Sequence, residues 1–320
     1  MTMAVHHISL PANFRRQDVL AFHGRDPHAL AERVTASRLD KGLVWQGAPA
    51  LLSLSFEEGG VDATLDVDVD VDVDVDEGAA QPRFEAMVQR MLGLDQDVDG
   101  FEQTHRHHPE LGPVLARQSG LRVPVTATPF EALSWAITGQ QISVQAAVAI
   151  RRRMIEACGI RHRSGSLCHP QAAQLLALGE VALRAAGFTA SKARTLLAVS
   201  EAVQGGALPL DDGLDGGLGS GRRDGPSGIA AQLLAIKGIG PWTVSYALMR
   251  GFGWLDGSLH GDVAVRRALG ALLARDPGSS DTPWQPLTVT PQAAEAWLAP
   301  LSPWRALAAA HLWASLSVSA

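Results

Sequence analysis

The residues best suited to chemistry begin at a glycine-containing turn, Gly238-Ile239-Gly240. Glycine permits a sharp bend or a close approach of another backbone, and Pro241 suits the first turn of the helix that follows. The unpaired N–H groups at a helix start attract anions, most simply a phosphate. The pattern therefore predicts that this turn binds a phosphate through its backbone, with Lys237 just before it facing the same anion.

Two aromatic residues and a carboxylate follow the turn. Trp242 and Tyr246 are four positions apart on a helix that we expect to end at Gly251, so both rings lie on one face. Asp262 precedes an apolar periodic stretch, at a position typical of a helix N-cap. An isolated Asp there would simply cap the helix, and its closeness in sequence to the turn and the aromatic pair leaves a catalytic role open. Asp256, in a glycine-rich loop, is the competing carboxylate, and we interpret it as a turn residue.

This segment resembles the helix-hairpin-helix glycosylases with a Gly/Pro-rich loop and a catalytic Asp (HhH-GPD), and within them the AlkA-like DNA-3-methyladenine glycosylases II. Two further stretches carry the resemblance, FEALSWAITGQQISV at 130–144 and the segment 303–313. The resemblance implies that Asp262 is the catalytic group. It implies a base pocket walled by Trp242, Tyr246 and Trp313. It also implies DNA contacts from the turn and from Gln140, Gln141 and Ser143.

Such an enzyme rotates a damaged nucleotide out of double-stranded DNA into its pocket. An ionised carboxylate then stabilises the positive charge that builds on the sugar as the glycosidic bond breaks. Electron-rich rings suit alkylated purines such as 3-methyladenine or 7-methylguanine, because these bases carry a positive charge. Family members that also cut the backbone use a lysine directly after the turn, where this chain has Trp242. We therefore expect a monofunctional glycosylase that leaves an abasic site.

Two alternatives stay open on the sequence alone. The chain could release other lesions, such as hypoxanthine, ethenoadenine or a mismatched base, because Val263 and Ala314 replace two tyrosines near the family's pocket, and Gln141 replaces its leucine wedge. It could also be a non-catalytic helix-hairpin-helix module that only binds damaged DNA. Release of a free base distinguishes the enzymes from the binding module.

The composition limits which cofactors the chain could hold and where in the cell we expect it. Two cysteines, Cys158 and Cys168, are too few for the four-cysteine iron-sulfur cluster of the endonuclease III branch, so we expect no such cofactor. By resemblance, a sodium or potassium ion could bind the backbone carbonyls of Leu234, Ile236 and Ile239. No apolar run is long enough to span a membrane, and the start of the chain shows no secretion signal. We expect a cytoplasmic, nucleoid-associated bacterial monomer with no membrane contact.

Charge is distributed unevenly along the 320 residues, whose formal net charge is -6. Residues 1–100 hold 8 Lys and Arg against 18 Asp and Glu, whereas residues 101–320 hold 19 against 15. The part expected to bind DNA is therefore mildly basic. This small excess predicts few phosphate contacts and a shallow dependence of DNA binding on salt.

The order of patterns predicts an α+β protein with two regions. Residues 1–96 form a small α+β domain with an antiparallel sheet, and residues 97–320 form a mainly helical region with the hairpin at 230–251 and a flexible insertion at 205–228. In the first region we expect a helix at 26–36, strands at 43–46 and 51–56, and a helix at 83–92. In the second, Thr128 and Ser143 are expected to cap helices.

A strict alternation of Asp and Val occupies residues 66–76. Period two places all the Asp side chains on one face of a strand and all the Val side chains on the other. A calcium-binding loop is disfavoured, because Val71 stands where the sharp turn of an EF-hand needs glycine. We predict a surface strand with a solvated acidic face, directed away from DNA.

Overall fold

The computed structural model describes residues 2–68, 77–210, 225–274 and 287–317. It is an α+β protein that begins with a five-stranded antiparallel sheet in the order β1-β5-β4-β3-β2. The strands are β1 (Thr2–Ser9), β2 (Glu32–Val34), β3 (Arg38–Trp45), β4 (Ala48–Glu57) and β5 (Gly60–Val67). Two helices, α1 (Arg16–His23) and α2 (Glu77–Leu92), pack against the sheet. The predicted fold class is confirmed.

The remainder of the described chain is mainly helical. They are α3 (Val98–His105), α4 (Leu111–Arg117), α5 (Pro129–Gly139), α6 (Val144–Cys158), α7 (Ala172–Ala185), α8 (Ala190–Gln204), α9 (Gly225–Leu234), α10 (Pro241–Phe252), α11 (Val263–Leu273), α12 (Pro291–Leu298) and α13 (Arg305–Ser317). The predicted caps of α5 and α6 are confirmed, since the hydroxyls of Thr128 and Ser143 accept hydrogen bonds from the first turns of these helices. Within the described ranges, no helix combines the length and apolar character needed to cross a membrane.

Helix α10 lies between two hydrophobic cores and so fixes the position of the residues that it carries. Val244 and Leu248 face one core, shared with α5 through α9. Tyr246 and Met249 face the other, shared with α11, α12 and α13. Because both faces are packed, the rings at the start of α10 are held on a rigid element rather than on a loop.

The helix predicted at 26–36 is wrong. Helix α1 lies earlier in the chain, and residues 26–29 form a turn in which the Asp26 carboxylate accepts a hydrogen bond from the backbone of His28. Ala29 adopts a left-handed conformation with φ of 49°, which ends any helical path. The chain then enters β2, which pairs with β3. Local turn formation and strand pairing outweighed the helical pattern.

The predicted end of α10 at Gly251 is also wrong. The helix continues to Phe252, and Gly253, with φ of 72°, is the left-handed residue that terminates it. Gly251 instead allows close packing, because a Cβ there would lie 2.9 Å from the Pro129 Cα at the start of α5. The glycine marks a contact between α5 and α10 rather than a helix end.

Other predicted elements exist with different bounds. The strands expected at 43–46 and 51–56 belong to the longer β3 and β4, and the helix expected at 83–92 is part of α2. The Asp-Val alternation enters β5, where Val67 is buried and Asp66 is half-buried and paired with Arg163. Residues 69–76 of that run and residues 211–224 of the predicted insertion lie outside the described residues.

Candidate active site

The turn between α9 and α10 has a strict requirement for glycine at its first position. Gly238 has φ of 96°, and a Cβ there would lie 2.1 Å from the Thr195 Oγ1. That hydroxyl donates to the Lys237 carbonyl at 3.0 Å and so ties α8 to the turn. Gly240 is extended and is the N-cap of α10, with open space around it. The side chain of Lys237 is exposed beside the turn.

The loop between α5 and α6 is bonded to this turn. The Gln140 Nε2 donates to the Gly238 carbonyl and to the Thr243 Oγ1, both at 3.0 Å. Gln141 is exposed and has φ of 56°, an uncommon conformation for a residue other than glycine. Ser143 caps α6 by accepting from the Ala146 N–H at 3.2 Å. Gln140 thus fastens the loop to the turn, and Gln141 projects from it.

Lys192 supports the same loop and was missed by the sequence analysis. From α8 its Nζ donates to the carbonyls of Thr138 and Gln140, at 2.8 and 2.6 Å. Partial burial lowers the pKa of Lys192 below its ordinary value. No sequence signal indicates this contact, since the lysine is more than fifty positions from both of its acceptors and has an ordinary helical setting.

Asp262 is both the N-cap of α11 and a point of contact for two tryptophans. Its Oδ1 accepts from the backbone N–H groups of Ala264 and Val265, at 2.8 and 3.0 Å. The same oxygen accepts from the Trp313 indole at 3.1 Å, and Oδ2 accepts from the Trp242 indole at 2.9 Å. The capping and catalytic interpretations are therefore compatible, because the cap holds a half-buried carboxylate at the aromatic residues.

Three aromatic rings are contiguous at this carboxylate. The Trp242 and Tyr246 rings stack with centroids 5.2 Å apart and an interplanar angle of 29°. The Tyr246 and Trp313 centroids are 6.3 Å apart, with the rings tilted by 56°. Tyr246 is buried, and the two tryptophans are partly buried. All three rings proposed from sequence as a pocket wall thus meet beside Asp262.

The competing carboxylate, Asp256, has a different environment. It accepts from the Arg305 Nε at 2.7 Å and from the Ser302 Oγ at 3.1 Å, and so joins its loop to the start of α13. Arg266, one turn into α11, donates to the Val289 carbonyl. These contacts join loops to helices, and the structure places only Asp262 of these three at the aromatic cluster.

The side chains and carbonyls around these elements bear on whether a metal ion could bind. In the described parts of the chain, no cluster of three His, Cys, Asp or Glu side chains could hold a metal ion. Of the carbonyls predicted to bind sodium or potassium, that of Ile236 accepts the Ile239 N–H at 3.1 Å. A carbonyl has a second lone pair, so the predicted cation site stays a prediction. Both cysteines are free thiols, and burial raises the pKa of Cys158 to about 11.

A comparison with known families agrees with this geometry. Residues 134–283 match the HhH-GPD superfamily of base excision DNA repair proteins, a range that includes the turn, Trp242 and Asp262. The chain belongs to the HhH-GPD superfamily. Residues 1–133, which include the sheet, lie outside the matched range.

Curated members of the superfamily resemble the chain over much of its length. It is 31% identical over 237 residues to a probable bifunctional transcriptional activator/DNA repair enzyme AlkA of Mycobacterium tuberculosis, covering 72% of this chain and 42% of that protein. It is 30% identical to DNA-3-methyladenine glycosylase 2 of Escherichia coli, covering 63% of each. The chain thus spans less than two thirds of the length of either relative.

Solved structures share this fold over nearly the whole length of the chain. A 3-methyladenine DNA glycosylase from Archaeoglobus fulgidus superposes with a TM-score of 0.72 over 96% of this chain and 97% of its own, at 18% identity. An 8-oxoguanine glycosylase/lyase from Clostridium acetobutylicum superposes with a TM-score of 0.65 at 13% identity. The N-terminal sheet is thus included in the shared architecture.

Proposed function

We propose that this chain is a monofunctional DNA glycosylase that removes alkylated purines from double-stranded DNA. The observation that carries the proposal is the environment of Asp262, whose carboxylate accepts four N–H groups, two from a helix start and two from indoles. All four donors are neutral. They hold the carboxylate in one orientation and, being neutral, do not cancel its charge.

The reaction requires a negative charge close to the sugar. As the C1′–N9 bond breaks, its electron pair moves to the base and positive charge develops on the sugar ring. Asp262 stabilises this charge while the oxygen of a water molecule bonds to C1′, and the water's proton passes to the carboxylate or to solvent. The free base and an abasic site are the products.

The aromatic cluster supplies the affinity for the base. A cationic purine is attracted to the π faces of Trp242, Tyr246 and Trp313, in addition to stacking on them. A base such as 3-methyladenine already carries the positive charge that makes it a good leaving group. The mechanism then needs no second carboxylate as a general acid, in keeping with the engagement of Asp256 by Arg305.

Backbone and loop residues serve the DNA in this proposal. The N–H groups of Gly238 and Gly240 in the turn and the exposed Lys237 contact phosphate, while the Ile239 N–H is bonded to the Ile236 carbonyl. The exposed Gln141 enters the space left by the rotated nucleotide. Trp242 occupies the position at which lyase members carry a lysine, and its indole bonds to Asp262 instead. Strand cleavage through a Schiff base is therefore not part of the proposed reaction.

The test is release of 3-methyladenine from alkylated duplex DNA. Asp262→Asn keeps an N-cap side chain but removes the charge, and release should slow by about 100-fold or more. Asp256→Asn is the matched control, and it should release the base at a rate close to that of the wild type. Equal release by wild type and Asp262→Asn contradicts the catalytic assignment, and DNA binding without release by the wild type favours the binding module. Strand breaks without added base or lyase contradict the monofunctional assignment.

A further inference from the structure

A buried arginine lies directly behind the aromatic cluster. Arg250 is one helical turn after Tyr246 on α10 and is only 7% exposed. Its guanidinium carbon lies 4.6 Å from the centroid of the Phe22 ring and 5.7 Å from that of the Trp313 ring. Its Nη1 donates to the Pro124 carbonyl at 2.8 Å. The guanidinium thus adjoins Trp313, one of the three rings assigned to the base pocket.

Over the ranges that the structure describes, no carboxylate balances the charge of Arg250. Among the described residues it forms no ion pair, and its buried Nε has no hydrogen-bond partner. A second cation, Arg25, lies on the same Phe22 ring at 4.5 Å. Burial is the main cause that lowers the pKa of Arg250 to about 10, a value to which Tyr246 also contributes by raising it and Arg25 by lowering it. At neutral pH the guanidinium therefore stays charged.

A buried cation without a carboxylate partner destabilises a fold, since one carbonyl and two ring faces compensate its desolvation only in part. Packing alone does not account for it, because a methionine would fill the space between Phe22 and Trp313 without that cost. The charge must, however, act on whatever occupies the adjoining pocket, because electrostatic effects are strong in surroundings of low dielectric constant. The positive charge of Arg250 repels a cationic base, whereas Asp262 and the π faces attract it.

This sign matters differently for two kinds of base. A cationic base such as 7-methylguanine becomes neutral when it takes the electron pair of the C1′–N9 bond, so a nearby cation weakens its binding and gives no stabilisation to the neutral leaving base. A neutral base such as hypoxanthine becomes an anion in the same step and gains its proton from water afterwards. A nearby cation stabilises that developing anion.

We propose that Arg250 is a specificity-determining residue, whose charge favours the release of neutral 6-oxopurines relative to purines that are already cationic. The inference rests on the proposed glycosylase function and deepens it. Arg250 acts through charge and through the position of Tyr246, without entering the bond-breaking step.

The experiment compares two duplexes that carry a single lesion, hypoxanthine or 7-methylguanine. Both bases are 6-oxopurines and differ chiefly in charge. In single-turnover reactions with the enzyme below saturation, so that each second-order rate constant includes binding, Arg250→Gln should lower the ratio of the hypoxanthine rate constant to the 7-methylguanine rate constant by about tenfold or more, as expected for removing a unit charge several ångströms away at an effective dielectric constant near 20. Arg250→Lys, which keeps the charge, should restore most of the ratio.

Arg25→Gln is the matched control, because it removes a charge that is exposed and screened by solvent. It should change the ratio by less than about threefold. If Arg250→Gln does not fold, Arg250→Met retains the apolar stem and provides the same comparison. An equal change in both rates would overturn the inference and make Arg250 a packing residue only. Failure of the wild type to release either base would instead overturn the proposed function itself, and the inference with it.

Discussion

Two carboxylates at helix N-termini show how differently the chain uses the same chemical group. Glu131 lies in the first turn of α5 and is only 3% exposed. It accepts from the Lys41 Nζ at 2.7 Å and from the Arg151 Nη2 at 2.8 Å, linking β3 to α5 and α6. Asp262 caps α11 and is half-buried, and the hydrogen bonds that it accepts from described residues all come from neutral N–H groups. Cations neutralise the charge of Glu131. The donors around Asp262 orient its carboxylate and leave its charge unneutralised.

The difference separates structural from chemical roles. Burial opposes ionisation of Glu131, but Lys41 and the other neighbouring cations outweigh it and lower the pKa of this carboxyl to about 2. The same cluster includes Glu32 and His23 and joins the sheet to the helices. A carboxylate that is already paired with fixed cations attracts a cationic substrate only weakly. Asp262, without a cationic partner among the described residues, retains a negative charge for the sugar.

Of the substitutions that test this difference between the two carboxylates, the one at Glu131 is expected to have the largest effect, and that effect is on stability. Glu131→Gln leaves Lys41 and Arg151 with one buried carboxylate fewer, and should lower the free energy of unfolding by about 3 kcal/mol. Urea denaturation measures it. Glu57→Gln, at an exposed position, is the control and should change stability by less than about 0.5 kcal/mol. Equal stability of the two variants would show that the cluster is not a structural element.

Acid should destabilise the region around Glu131 by protonating His169, a buried residue that interacts electrostatically with that carboxyl. Burial lowers the pKa of His169 to about 4, and the unfolded chain retains the ordinary value of 6.5. The unfolded state therefore binds the proton first, so stability is present above pH 6.5 and is lost as the pH falls toward 4. Between pH 7 and pH 5 this histidine should contribute a loss of about 2 kcal/mol. Urea denaturation at both pH values measures it, and an unchanged slope in His169→Gln would contradict the assignment.

The smallest expected effect is at the second indole that contacts Asp262. Trp313→Phe keeps a ring in the cluster but removes the N–H that bonds to Oδ1. Losing a hydrogen bond to a charged group should slow base release about tenfold, with little change in the thermal midpoint. Trp297→Phe, whose ring lies against His108, is the control and should release the base at the wild-type rate. Equal rates for both variants would exclude a role of the indole in holding Asp262.

Much of the helical architecture followed from local signals in the sequence. Thr128, Ser143 and Asp262 precede helices because a short polar side chain satisfies N–H groups that have no partner in the first turn. Local signals failed where tertiary contacts decided the outcome. The turn at Asp26 leads into a strand that exists only through pairing with β3, and Gly251 serves a helix contact that its own helix cannot reveal.

The candidate site was predictable in composition but not in contacts. The spacing predicted that Trp242 and Tyr246 share one helix face and that Asp262 lies at a helix start, and the structure confirms both. That the Trp313 indole bonds to the carboxylate depends on how α13 packs against α11, which the local pattern does not encode. Arg250 was missed although it is one turn from Tyr246, and that spacing could have indicated it. The pairing of Lys41 with Glu131, 90 positions away, has no signal in the sequence.

The most direct test of the central claim measures base release and stability in the same preparations of Asp262→Asn and Glu131→Gln. The account predicts that Asp262→Asn binds lesion-containing duplex and unfolds like the wild type, while single-turnover release of 3-methyladenine slows by about 100-fold or more. Glu131→Gln should be destabilised yet release the base near the wild-type rate at a temperature where it is folded. Release by Asp262→Asn at the wild-type rate would contradict the account.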